Sequence, residues 1–138
     1  MPDQFEDELR IAIMRLSRRM RQERADGTVT DGQLSVLFVL WREGAQTLGS
    51  LSEHEGVTPP SMNRTVNALV ASGFVSRTTS PDDARKVDIE ITEAGIAIAR
   101  ETKRRRVAWF SGRLAALNAQ DRAALETATA TLREIADA

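Results

Sequence analysis

The sequence predicts a mainly α-helical fold with one small β-hairpin, and three features predict it. First, residues 58–73 carry a helix marked at both ends. Thr58 is a favoured N-cap, Pro59 follows at the first helical position where its missing N–H and fixed φ cost nothing, and Gly73 suits a left-handed C′ position. Second, residues 74–78 and 87–91 read as strands, with Val87, Ile89 and Ile91 alternating with Lys86, Asp88 and Glu90 on the far side of the turn-rich TSPDDAR. Third, a short helix ending at Gly56 leads through Val57 directly into the marked helix, and two short helices joined so tightly make a helix-turn-helix. A helix-turn-helix followed by a hairpin is a winged helix-turn-helix, placed here at residues 30–95. At 138 residues the chain has the length of a single domain.

The elements follow in order. Residues 3–24 place Phe5, Leu9, Ala12, Ile13, Leu16 and Met20 at three- and four-residue steps, an amphipathic helix. After the turn ADGTVT, Thr30 and Gln33 have the spacing of a capping box, and the second helix runs through Leu34, Leu37, Phe38, Leu40 and Trp41 to Gly44. Thr47 caps a third, short helix containing Leu48 and Leu51, with Gly56 at its C′ position. In the helix that begins at Pro59, Met62, Thr65, Val66, Leu69 and Val70 make the inward face, and Ser61, Asn63, Arg64 and Asn67 fall on the other side. Beyond the hairpin, Thr92 caps a long helix whose inner line is read as Ile96, Ala99, Lys103, Val107, Phe110, Leu114 and Leu117. Asn118 caps the last helix, which carries Leu125, Ala128, Leu132 and Ile135.

The helices at residues 1–25 and 96–138 bear more apolar stripe than one small winged helix can cover. A second copy of the chain, packed with twofold symmetry, would bury them, so they are read as dimerisation helices of a homodimer.

Composition excludes several classes of function. There is no cysteine, which removes disulfides, thiolate nucleophiles and cysteine–zinc sites together. His54 is the one histidine, so no histidine cluster for a metal exists within a chain. No glycine loop that would cradle a phosphate and no nucleophile motif occurs, so neither a cofactor nor catalysis is expected. No apolar run approaches the roughly 18 residues that span a bilayer, and the N-terminus is acidic where a signal peptide would be basic, so a cytoplasmic protein is expected. Charge gives no support to nucleic-acid binding. The net charge is −1, and residues 58–90 hold Arg64, Arg77, Arg85 and Lys86 against Asp82, Asp83, Asp88 and Glu90. The run at residues 103–106, KRRR, spreads around a helical wheel and is read mainly as a solvated face.

The chain resembles the MarR family of bacterial transcription regulators over nearly its full length. The resemblance is carried by residues 48–56, by Val57-Thr58-Pro59, by Asn63-Arg64-Thr65-Val66, and by Leu69 with Gly73-Phe74-Val75. It continues through Arg77, the wing tip Asp83-Ala84-Arg85 and Ile91-Thr92-Glu93-Ala94-Gly95. Two positions depart from the family pattern: Ala84, where many members have a second arginine, and Pro60, which removes a backbone donor. The resemblance implies a homodimeric repressor bound to double-stranded DNA at a pseudo-palindromic operator and relieved by a small ligand. The competing reading, favoured by the neutral charge, is a winged-helix module that binds protein and no DNA.

In chemical terms, a helix of this size fits the major groove of B-DNA, with Ser61, Asn63, Arg64 and Asn67 toward base edges and Thr58 and Pro60 at its entrance. Asparagine can pair two-pronged with adenine and arginine with guanine. Arg85 at the wing tip suits a narrow minor groove, with Asp83 holding its guanidinium, and Arg77 and Lys86 are read as phosphate contacts. Trp41 is read first as core and second as the wall of a cavity, beside the first and fifth helices, for a small aromatic or amphipathic ligand.

Overall fold

The computed structural model describes residues 3–79, 81–83 and 85–138. In chain order the elements are α1 (Gln4–Gln22), α2 (Asp31–Glu43), β1 (Gln46–Thr47), α3 (Leu48–Glu55), α4 (Pro59–Ala71), β2 (Val75–Thr79), β3 (Val87–Ile91), α5 (Glu93–Ala115) and α6 (Ala119–Asp137). The architecture is mostly helical with a small antiparallel sheet, as the sequence predicts. Thr30, Thr47, Thr58, Thr92 and Asn118 each accept a hydrogen bond from the backbone N–H three residues on, and Thr30 and Gln33 form the full capping box. Each such cap stabilises its helix by about 1 kcal/mol.

The sheet corrects the two-stranded hairpin read from the sequence. Its order is β1-β3-β2, with Gln46 opposite Ile89 and Thr47 opposite Asp88. A strand of two residues has no periodicity to detect, and Thr47 serves at once as strand residue and as cap of α3.

Helix α2 is the centre of the core. Leu34, Leu37 and Leu40 are buried as predicted, but so are Val36 and Val39, because α3, α4, β3 and α5 surround the helix. Leu51, Met62, Val66, Leu69, Val75 and Ile89 complete the cluster. Val29, read as part of a turn, also belongs to it, whereas Val70, read as inward, lies 38% exposed. Helix α5 departs further from expectation. Its buried line is Gly95, Ala99 and Thr102, while Val107 is 55% exposed. Small side chains let the first half of α5 approach the winged core closely, and its second half buries no residue against it.

The run at residues 103–106 is exposed at Lys103, Arg104 and Arg105, as read from the sequence, but two of its arginines also bind the chain beyond α1. Arg105 Nη1 donates to the Arg24 carbonyl at 2.9 Å and Arg106 Nε to the Glu23 carbonyl at 3.0 Å, so α5 pins the segment that follows α1. The Ala25 N–H donates to the Thr102 hydroxyl at 3.0 Å, and Arg24 binds the Val29 carbonyl and Asp31. Glu101, accepting hydrogen bonds from Arg104 and Arg105, has its carboxyl pKa held down to about 2.

The tightest junction joins α4, the wing and α5. Gly73, at φ 79°, closes α4: its N–H donates to the Val70 carbonyl at 3.0 Å and the Phe74 N–H to the Leu69 carbonyl at 2.9 Å. The Thr92 hydroxyl donates to the Gly73 carbonyl at 2.6 Å and accepts from the Gly95 N–H at 3.2 Å. The Thr92 N–H donates to the Phe74 carbonyl at 3.0 Å. A Cβ on Gly95 would stand 2.2 Å from that same Phe74 oxygen and 2.7 Å from Ile91 Cγ1.

Gly95→Ala should therefore destabilise the fold by about 1–3 kcal/mol, because rigid backbone would have to shift to admit one methyl group. Gly32→Ala, in the first turn of α2 with open space around it, should be neutral or stabilising. Thermal unfolding of the two variants checks the pair; equal effects would remove the close approach as the reason for Gly95.

Candidate nucleic-acid interface

The N-terminus of α4 has few backbone donors to spare. A helix start ordinarily offers several unpaired N–H groups to an anion. Here Pro59 and Pro60 have none, the Ser61 N–H donates to Thr58 Oγ1 at 3.3 Å, and the Met62 N–H donates to the Thr58 carbonyl at 2.9 Å. With only the Thr58 N–H left over, a polyanion meeting this end of α4 depends mainly on side chains.

Those side chains are where the sequence placed them. Thr58, Pro60, Asn63, Arg64 and Asn67 are exposed and Ser61 is half-buried. The exposed face of α4 is joined to the wing by Arg77 on β2. Its Nη1 donates to Asn67 Oδ1 at 2.7 Å and its Nη2 to Asn63 Oδ1 at 3.0 Å. Asn63 and Asn67 are one helical turn apart, so a single guanidinium spans both. Sequence reasoning had the three residues but not the bridge: nothing in their spacing announces it, because it depends on β2 lying along α4.

At the wing tip Asp83 and Arg85 come together as expected. The Asp83 carboxylate accepts from the Arg85 N–H at 3.0 Å and from Arg85 Nε at 3.2 Å. The Arg85 side chain stays 91% exposed, with its charge held outward. The Arg85 backbone N–H, and after it the Arg85 side chain, pull the Asp83 pKa below its ordinary value. Lys86 is exposed beside them. Ala84 lies outside the described residues.

Trp41 is not part of this surface. It sits half-buried on α2, with Phe38 stacked obliquely at 6.4 Å and the Lys103 ammonium 5.8 Å from its ring. A shallow cleft beside it is lined by Arg100, Lys103, Arg104, Val107 and Ala108 of α5. No residue of α1 lines it, which corrects the expected placement against the first helix. His54 is exposed, and among the described residues no group of three or more His, Asp or Glu side chains could hold a metal ion. Among the described residues, no helix is long and apolar enough to cross a membrane.

A helix-turn-helix with a three-stranded wing, presenting amide, hydroxyl and guanidinium groups on one exposed face, defines a DNA-binding protein of the winged-helix class. Comparison with known proteins narrows the class. The sequence profile of the MarR family matches residues 29–87. An uncharacterized HTH-type transcriptional regulator of Mycobacterium bovis is 38% identical over 130 residues, covering 94% of this chain and 91% of the relative. Among solved structures, a MarR family protein from Bacillus stearothermophilus superposes with a TM-score of 0.82 at 22% identity, covering 97% of this chain and 94% of that one. Bordetella bronchiseptica BpsR, whose DNA binding is regulated by 6-hydroxynicotinic acid, is also similar, with a TM-score of 0.71 at 25% identity over 99% of this chain and 95% of its own. The chain belongs to the MarR family and is a DNA-binding transcriptional regulator, not an enzyme.

The wing tip generates a titration prediction. Because the folded pKa of Asp83 is depressed, its pairing with Arg85 is complete above the ordinary value of 3.8 and is lost as pH falls through the lower folded value. An NMR titration should give a midpoint below 3.8 for Asp83. In Arg85→Ala the midpoint should return only part of the way, since the backbone N–H of residue 85 remains; a complete return would show that the side chain alone orders the tip.

Proposed function

We propose that the protein is a homodimeric repressor that reads a pseudo-palindromic operator with α4 in the major groove and the wing in the adjacent minor groove. The observation that carries this is the Arg77 bridge, which makes β2 and the exposed face of α4 one continuous polar surface with Arg85 at its open end. In this reading Ser61, Asn63, Arg64 and Asn67 face base edges, where a well-placed two-pronged pair discriminates by about 1–3 kcal/mol. The Thr58 hydroxyl and Lys86 meet phosphates, and Pro60 offers only its ring at the groove entrance. Arg85, aimed by Asp83, enters a narrow A·T-rich minor groove where negative potential concentrates.

The flanking helices support the dimer. Among the described residues α1 and α6 bury none of their side chains, and Phe5, Ile13, Leu132 and Ile135 are between 37% and 64% exposed. Leu9, Ile13, Met14, Leu132 and Ile135 line one apolar groove between the two helices, a face that a second copy would cover. The Trp41 cleft, between the winged core and the flanking half of α5, is the proposed seat of a small aromatic or amphipathic ligand, and its three cations favour an anionic one. Such a ligand relieves repression in proportion to its differential affinity for a dimer whose α4 helices no longer match successive grooves.

A gel shift against DNA upstream of the protein's own gene, at two salt concentrations, tests the reading. Affinity should fall as salt rises, because phosphate contacts release counterions. Arg85→Ala should lower the salt slope by about one unit and weaken binding chiefly at A·T-rich flanks. Binding that is absent or indifferent to salt would favour a protein-interaction module instead. Sedimentation should give twice the chain mass of 15.2 kDa, and Leu132→Asp should shift the protein toward the monomer and abolish operator binding. A wild-type monomer that binds a full operator with undiminished affinity would remove the dimer from the proposal.

A further inference from the structure

We propose that Arg77 is a positioning residue for base specificity: by holding the side-chain oxygens of Asn63 and Asn67, it turns their amide NH2 groups outward and makes α4 a reader of acceptor-rich base edges. The inference rests on the reading above, in which this face of α4 meets DNA.

Arginine has five donors and no acceptor, so an asparagine that faces it must do so through Oδ1. Both asparagines do, at 2.7 and 3.0 Å, one to each terminal nitrogen of the guanidinium. The planar amide places Nδ2 on the opposite side of Cγ, turned away from the cation. A bond from a charged donor is roughly twice as strong as one between neutral groups, so the amides hold this orientation before any DNA arrives.

The consequence is chemical. An asparagine pairs two-pronged with adenine only when Oδ1 accepts from N6 while Nδ2 donates to N7. With Oδ1 held at the cation, which takes one of its two lone pairs, the groups that the amides turn outward are their NH2 donors. Donors match guanine, whose major-groove edge presents O6 and N7, and thymine O4, and they do not match the donor on adenine N6. Arg77 therefore sets the base preference of two other side chains without touching a base. Lysine at this position would keep the charge but not the planar fork that reaches two oxygens in fixed geometry.

Selection of bound sequences from a random DNA pool tests this, with wild-type protein, Arg77→Lys, Arg77→Ala, Asn63→Ala/Asn67→Ala, and that double variant combined with Arg77→Ala. Wild-type protein should select guanine or thymine at the two positions per half-site that lose preference in the double asparagine variant. Arg77→Lys should keep the salt slope yet lose at least about fivefold in discrimination at those same positions, the lower end of what a well-placed contact supplies. Arg77→Ala should lose it too, and should add no further loss of preference in the double asparagine background. A wild-type preference in Arg77→Lys, together with a salt slope lowered evenly on all sequences in Arg77→Ala, would make Arg77 a phosphate contact and overturn the inference. Unchanged selection by the double asparagine variant would overturn the underlying reading of α4, and this inference with it.

Discussion

The structure depends on the close approach of α5 to the end of α4. Three chain segments meet at the Phe74 carbonyl: the Schellman closure of α4, the last residue of β3, and the first turn of α5. Thr92 ties them with three hydrogen bonds, as donor to the Gly73 and Phe74 carbonyls and as acceptor from Gly95. A glycine at position 95 is what allows the helix to come so near a backbone oxygen. Because β2 leaves this junction directly after α4, and β3 enters it directly before α5, one small cluster fixes the wing relative to the helix it flanks. It also fixes both relative to α5, the long helix that leads to the C-terminal α6.

The same junction explains how much could be read from the sequence. Local signals were legible: five N-caps, the left-handed glycines at 56 and 73, and the alternation of residues 87–91 all depend on residues a few positions apart. Long-range consequences were not. β1 exists only because residues 46 and 47 meet 88 and 89, and a two-residue strand carries no pattern of its own. Val36 and Val39 broke the expected stripe on α2 because that helix is enclosed on several sides, and an enclosed helix has no stripe. Helix α5 misled for a different reason. Its first half packs on the winged core through Gly95, Ala99 and Thr102, and its second half exposes Val107, so no single line describes both. In the candidate site, residue identities were legible and their partnerships only within short range. Asp83 and Arg85, two residues apart, were paired correctly, whereas the contact of Arg77 with residues ten and fourteen positions earlier needed the fold.

A net charge of −1 becomes compatible with DNA binding once the arginines are sorted by what they touch. Arg24, Arg105 and Arg106 are spent inside the chain on the carbonyls at the end of α1 and the turn after it, and Arg104 and Arg105 also grip Glu101. Cations already paired within the chain add less to the field at the exposed face of α4. The exposed cations near the wing are few, and the two prolines at the start of α4 reduce the usual backbone contribution as well. Electrostatic attraction of this design should be modest, which puts more of the discrimination onto geometry.

Geometry is also what the two wing arginines have in common. Asp83 holds Arg85 and Arg77 holds two asparagines, so long or rotatable side chains are ordered before a partner arrives. Immobilising such a side chain on binding costs about 0.5–1.5 kcal/mol. An interface whose amides and guanidinium are already fixed loses less of its gross interaction energy to that term, which offsets part of what a weak overall charge forgoes. The benefit is conditional on distance. Two pre-set faces gain from rigidity only if the copies are spaced to meet successive grooves together, and a 23-residue α5, about 34 Å long, carries the junction at one end and the exposed flank at the other. In the proposed dimer the small cluster around Phe74 would do two jobs: fix the reading surface within one copy, and pass to that surface whatever spacing the flanking helices impose.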